Sequence, residues 1–171
     1  MLLSHGFEVL LGEPDLIFGH AGQHLGIAAK RPSSLRQVEK RFRKAMRQLD
    51  QAGMRGFVAV SLDRLIATGD PRIFARTPDA LSHAAETCLE HVRDTIKPFI
   101  QPLLRDVAPL GVLFSLTISG FLPRRGYLGV NNVLQVTPNP LCSYSYTLSW
   151  EVYRRLEARV TCPQLLYHPQ C

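Results

Sequence analysis

The spacing of apolar positions changes along the chain, and each change marks an element. From Ser33 onward, Leu35, Val38, Phe42, Ala45, Met46 and Leu49 recur at intervals of three and four, which puts them on one stripe of an amphipathic helix. Ser33 or Ser34 supplies its N-cap, and Gly53 offers a left-handed residue after the last turn. Ahead of this helix stand three short apolar runs, Phe7 to Leu11, Asp15 to Phe18 and Leu25 to Ala29. Gly12 and Pro14 separate the first two and the glycine-containing stretch Gly19 to His24 the last two, so they read as strands, with the second and third joined in a hairpin. After the helix, Gly56 to Leu62 (GFVAVSL) is an unbroken apolar run of strand length, the pattern of a strand covered on both faces.

The second half follows the same logic. Thr77, Pro78 and Asp79 form a helix start, with Leu81, Ala85, Cys88, Leu89, Val92 and Ile96 as its apolar positions and Pro98 as its expected end. A further helical piece is predicted from Phe99 to Val107, strands over Gly111 to Phe121 and Tyr127 to Val136, and a helix over Leu148 to Val160. Pro138, Asn139 and Pro140 mark a loop inside a domain rather than a boundary. The 171 residues make one domain of mixed α/β (α+β) class.

Charge sharpens this picture. The formal net charge is +6, but residues 30–55 hold nine basic residues and two acids, a local excess of seven. The rest of the chain is close to neutral, so the positive field belongs to one segment, and its helix presents Arg36, Lys40, Arg43 and Arg47 opposite the apolar stripe. Such a face suits a polyanion, and it equally suits plain solvation. Cys88, Cys142, Cys162 and Cys171 include no CxxC pair, which argues against a structural zinc and for buried thiols. The start of the chain has neither the basic residues nor the apolar stretch of a signal peptide, and no apolar run reaches membrane-spanning length. The expectation is a cytoplasmic chain without a membrane partner.

Asp15 opens one arm of the hairpin and Lys30 ends the other. With a turn centred on Gly22 and Gln23, Asp15 faces Lys30 and Ile17 faces Ala28, and alternation puts all four on one face. Glu13-Pro14-Asp15-Leu16-Ile17-Phe18, a short glycine-containing turn, Gly26-Ile27-Ala28-Ala29-Lys30-Arg31-Pro32, a basic amphipathic helix and the strand GFVAVSL together resemble the core of the PD-(D/E)XK nuclease superfamily. The resemblance covers about residues 7–62, dividing the domain into a nuclease-like core there and a C-terminal elaboration over about 70–171. It implies a restriction-endonuclease-like fold, a small mixed sheet flanked by helices. It also implies a divalent-metal-dependent phosphodiesterase acting on DNA, with Mg2+ or Mn2+ as cofactor, Asp15 as metal ligand and Lys30 as the lysine that orients or activates the attacking water. A helix ahead of the first strand belongs to that pattern, and only Met1 to Gly6 precede Phe7 here.

The departure lies at position 28. The family places a second acid two residues before the lysine, and this chain has Ala28, which offers no metal oxygen. Glu39 on the helix and Glu8 on the first strand are the candidate replacements, with Glu13 beside the motif a third; for Glu39 the spacing favours an i,i+4 ion pair with Arg43 over a metal. Gln48 lies where related nucleases often carry a glutamine toward nucleic acid, while His20 and His24 suit a solvated turn. Two readings stand: a metal-dependent nuclease with weakened catalysis, and a catalytically silent module of the same build that binds nucleic acid or a protein.

Overall fold

A computed structural model describes residues 9–20, 22–66, 73–104, 109–122 and 127–142. Three strands, β1 (Val9–Leu11), β2 (Leu16–His20) and β3 (Gln23–Lys30), precede helix α1 (Leu35–Gln51) and strand β4 (Gly56–Ser61). A one-turn helix α2 (Asp63–Ile66), a two-residue strand β5 (Ile73–Phe74) and the long helix α3 (Pro78–Ile100) follow, then two twelve-residue strands, β6 (Gly111–Leu122) and β7 (Tyr127–Pro138). The seven strands form one mixed sheet in the order β1-β2-β3-β4-β6-β5, with β7 on β6. β1, β2 and β3 are antiparallel neighbours, whereas β3, β4 and β6 run parallel. Because β7 occupies one edge of β6 along its whole length, β4 and β5 share the other, β4 from Gly111 to Ser115 and β5 at Gly120 and Phe121.

Alternation along β3, β4 and β6 divides the core in two. Ala28, Val58, Val60, Val112, Phe114, Leu116 and Ile118 face one side, where Val38, Phe42, Ala45 and Leu49 of α1 and Ala85, Leu89, Ile96 and Ile100 of α3 cover them. Phe18, Leu25, Ile27, Phe57 and Leu113 face the other, with Cys142 among them. Each large side chain so enclosed contributes roughly 2–3 kcal/mol of apolar burial. The elements after residue 70 therefore complete the same core that α1 and β4 begin.

Several sequence expectations change. Leu35 is 40% exposed although it belongs to the apolar spacing. As the first helical residue it leans toward the N-terminus, beyond the turn that meets the sheet. Helix α3 does not stop at Pro98 but runs on to Ile100 and tightens into a 3-10 turn over Gln101–Leu103. Pro98 lacks the N–H that would bond the carbonyl four residues back, and the α-helix gives way to the tighter turn within three residues of it. The described part of the predicted second helical piece, Phe99 to Val107, is thus the end of α3 and this turn; its residues 105–107 lie outside the described residues, as do Glu8 and the predicted helix over 148–160. Cys88 and Cys142 are free thiols, and burial pushes the Cys88 thiol up. Among the described residues no helix is long and apolar enough to cross a membrane.

The hairpin register differs from expectation by two residues. Leu16 pairs with Ile27, Ile17 with Gly26 and His20 with Gln23, so the turn lies one residue earlier, with Gly22 at φ +74°. A shift of two preserves the face, and Asp15, Ile17, Ala28 and Lys30 still lie on the α1 side. Across β3 and β4, Gly26 pairs with Gly56. A Cβ on Gly56 would run into the Gly26 backbone carbonyl, and one on Gly26 would stand 2.6 Å from Pro14 Cγ and 2.9 Å from Leu49 Cδ2. The Gly56→Ala substitution is accordingly expected to cost about 3 kcal/mol or more. Read by thermal unfolding, that is a fall in Tm of roughly 6–12 °C; an unchanged Tm would contradict this register.

Candidate functional site

The sheet is shorter on the β2 side than β3 requires. β2 begins at Leu16, opposite Ile27, while β3 continues to Lys30, so the Ala29 amide has no strand to donate to. Asp15 takes that place: its Oδ2 accepts from Ala29 N at 2.7 Å and from Lys30 Nζ at 3.2 Å. Lys30 Nζ also donates to its neighbour's carbonyl, Ala29 O, at 2.7 Å. The lysine side chain is only 10% exposed and that of Asp15 42%, so the ammonium is held at the rim by a partner fixed to the backbone.

The segment before Asp15 is fixed by α1. Pro14 is buried and lies over Gly26, in the space that the missing side chain leaves, beside Leu49. One residue along the helix, Gln48 Nε2 donates to Glu13 Oε1 at 2.9 Å, while Gln48 Oε1 is enclosed and has no partner among the described residues. The amide assigned by sequence to nucleic acid thus engages the loop that carries the aspartate.

The remaining sequence candidates divide. Ala28 is fully buried and belongs to the core beneath α1. Glu39 Oε1 accepts from Arg43 Nε at 3.0 Å and Nη2 at 2.8 Å, the i,i+4 pair foreseen as its other role. Arg36, Lys40, Arg43 and Arg47 are all exposed, on the side of α1 away from Val38, Phe42, Ala45 and Leu49. Among the described residues Arg36, Lys40 and Arg47 carry no ion pair.

A second aspartate, Asp63, was not singled out in the sequence. β4 ends at Ser61, opposite Ser115, and β5 joins β6 only at Gly120, so β6 has a gap in its partner between them. Asp63 Oδ1 accepts the Thr117 amide there at 2.8 Å, and its Oδ2 accepts from Ser61 Oγ at 2.9 Å and Arg31 Nη2 at 3.3 Å. The signal in the sequence is slight, an aspartate two residues after a serine at the end of an apolar strand.

A magnesium or manganese ion asks for carboxylate oxygens that converge, with waters filling an octahedron. Asp15 offers one carboxylate, position 28 is closed by the core, and Glu13 and Glu39 are engaged by Gln48 and Arg43. No group of three or more His, Cys, Asp or Glu side chains placed to hold a metal occurs among the described residues. Among the described residues these carboxylates do not form the convergent set that the motif implies, and Glu8, the remaining candidate, lies outside them.

Compared with protein-family models, with curated proteins and with solved structures, the chain matches none.

Two stability measurements probe this geometry. Asp15→Ala is expected to cost about 1–2 kcal/mol in urea unfolding, because the Ala29 amide and Lys30 lose their acceptor, and Asp15→Asn less than about 1 kcal/mol because an oxygen remains; equal losses would detach Asp15 from the Ala29 amide. Ala28→Glu is expected to destabilise by more than about 2 kcal/mol, since a carboxylate would enter an enclosed apolar site. An undiminished Tm for that variant would show position 28 open to an acid.

Proposed function

We propose that the chain is a nucleic-acid-binding domain built on a nuclease-type, restriction-endonuclease-like frame, in which DNA is held through the outer face of α1 and metal-dependent cleavage is absent. The observation that carries the reading is that face: Arg36, Lys40, Arg43 and Arg47 are exposed opposite the stripe that packs on the sheet. From Arg36 to Arg47 the helix rises roughly 16 Å, enough to meet several phosphates of one strand. Supporting the frame are the strand order β1-β2-β3, the return through α1 to β4 parallel to β3, and the contact of Asp15 with Lys30 at the end of the hairpin. Supporting the silence are the buried Ala28 and the engaged Glu13 and Glu39. In this reading the Asp15 to Lys30 contact is structural, the acid ordering the end of β3 and the lysine balancing its charge.

Metal-dependent phosphodiester cleavage is the second reading. One observation favours it: the motif aspartate and lysine are in contact, and Asp15 Oδ1 accepts no hydrogen bond among the described residues.

Binding governed by phosphates loses affinity steeply with salt. Replacing Arg36, Lys40, Arg43 and Arg47 together by glutamine is expected to remove most affinity for a mixed-sequence DNA duplex. It should also flatten the dependence of log Kd on log salt by about one unit for each phosphate that the helix no longer neutralises; an unchanged slope would move the binding surface elsewhere. In parallel, the parent chain is expected to leave supercoiled plasmid intact with magnesium or manganese. Nicking by the parent that Lys30→Ala abolishes would transfer the conclusion to the second reading.

A further inference from the structure

The two basic residues that close β3 diverge. Lys30 meets Asp15 on the β2 side, and Arg31 meets Asp63 beyond the end of β4. Each acid is anchored by a backbone amide that a neighbouring strand end leaves free, Ala29 for one and Thr117 for the other. Satisfying Thr117 needs only an acceptor oxygen, which a neutral amide side chain would provide equally. The second oxygen of Asp63, Oδ2, accepts from Ser61 Oγ at 2.9 Å and from Arg31 Nη2 at 3.3 Å, and since the serine is neutral it is Arg31 that answers the charge.

Arg31 is not absorbed by this contact. Its side chain is 54% exposed against 25% for Asp63, and a single nitrogen, Nη2, reaches the carboxylate. The remaining guanidinium donors form no hydrogen bond among the described residues, so a planar group is held at one corner and presented with its other donors outward. An isolated exposed ion pair stabilises a fold little, whereas fixing an arginine's direction before a phosphate arrives removes part of the ordering cost of binding. Pro32, buried directly after Arg31, holds the connection from which the side chain springs, just ahead of the N-cap Ser34 of α1.

We infer that Asp63 is a positioning residue that presents Arg31 to a backbone phosphate of DNA, extending the binding surface of α1 to the end of β3. The inference rests on the proposed DNA-binding role of α1. It predicts a sign opposite to that of simple charge: removing an acid near a DNA-binding surface strengthens attraction, but removing the one that orients Arg31 weakens it.

The test measures Kd against salt for a short mixed-sequence duplex, using the full chain and its Asp63→Asn, Arg31→Gln and Arg31→Gln/Asp63→Asn variants, with Tm alongside. Asp63→Asn retains an oxygen for Thr117 and is expected to keep its Tm, while weakening binding about two- to fivefold, the scale of one exposed ion pair. Arg31→Gln is expected to lower the salt slope by about one, and adding Asp63→Asn to it to cause no further loss. Asp63→Asn binding as tightly as the parent or tighter, or weakening the Arg31→Gln background equally, overturns the inference. Should Asp63→Asn lower Tm by several degrees, the comparison passes to Arg31→Lys, which keeps the charge but not the fork: weaker binding upholds the inference and parent-like binding overturns it. The quadruple α1 variant separates the two levels. If it loses binding while Asp63→Asn does not, only this inference falls; if the parent itself does not bind the duplex, the proposed function falls and the inference with it.

Discussion

Strands of unequal length leave amides of interior strands without a ladder partner, and the charged end of this sheet is organised by how those amides are satisfied. A peptide N–H needs an acceptor, and leaving one unmet in the folded state costs about 1–3 kcal/mol. On β3 the amide of Ala29 lies beyond the start of β2, and on β6 that of Thr117 lies between the end of β4 and the beginning of β5. An aspartate fills each place. Once each carboxylate is fixed by the backbone, its remaining capacity draws in a cation, and the consecutive residues Lys30 and Arg31 are drawn apart. The positions of four charged groups thus trace back to where three strands stop.

How far this was legible from sequence depends on the range over which each cause acts. The hairpin and α1 are written locally, in two apolar runs parted by a glycine-containing turn and in the stripe from Val38 to Leu49, and both stand in the structure. Parity survived even where register did not: the two-residue slip at the turn keeps Asp15 and Lys30 on one face, because side chains repeat every two residues. Asp63 could not be read in the same way, since the amide that gives it a role belongs to a strand 54 residues later. The two-residue β5 carries too few positions for any period to show. At Pro98 the local rule for a helix stop marks the end of α3 to within two residues, since the helix closes at Ile100.

The motif segment depends on α1 more closely than its spacing suggests. Gln48 in the last turns of the helix bonds Glu13, and Pro14 and Leu49 both close over Gly26, whose missing side chain leaves the room for them. The same helix covers the sheet face on which Ala28 lies. A small side chain at 28 and close seating of α1 are therefore two aspects of one packing solution, and an acid at that position would oppose it.

Helix α1 also separates two demands that proteins often have to meet with the same residues. Val38, Phe42, Ala45 and Leu49 secure the fold, whereas Arg36, Lys40 and Arg47 lie exposed on the opposite side of the helix. Seventeen residues therefore carry two nearly independent inscriptions, one read by the sheet and one by whatever lies outside. Descendants of such a sequence can drift in outward charge, gaining, losing or exchanging a partner, while the architecture beneath stays constant.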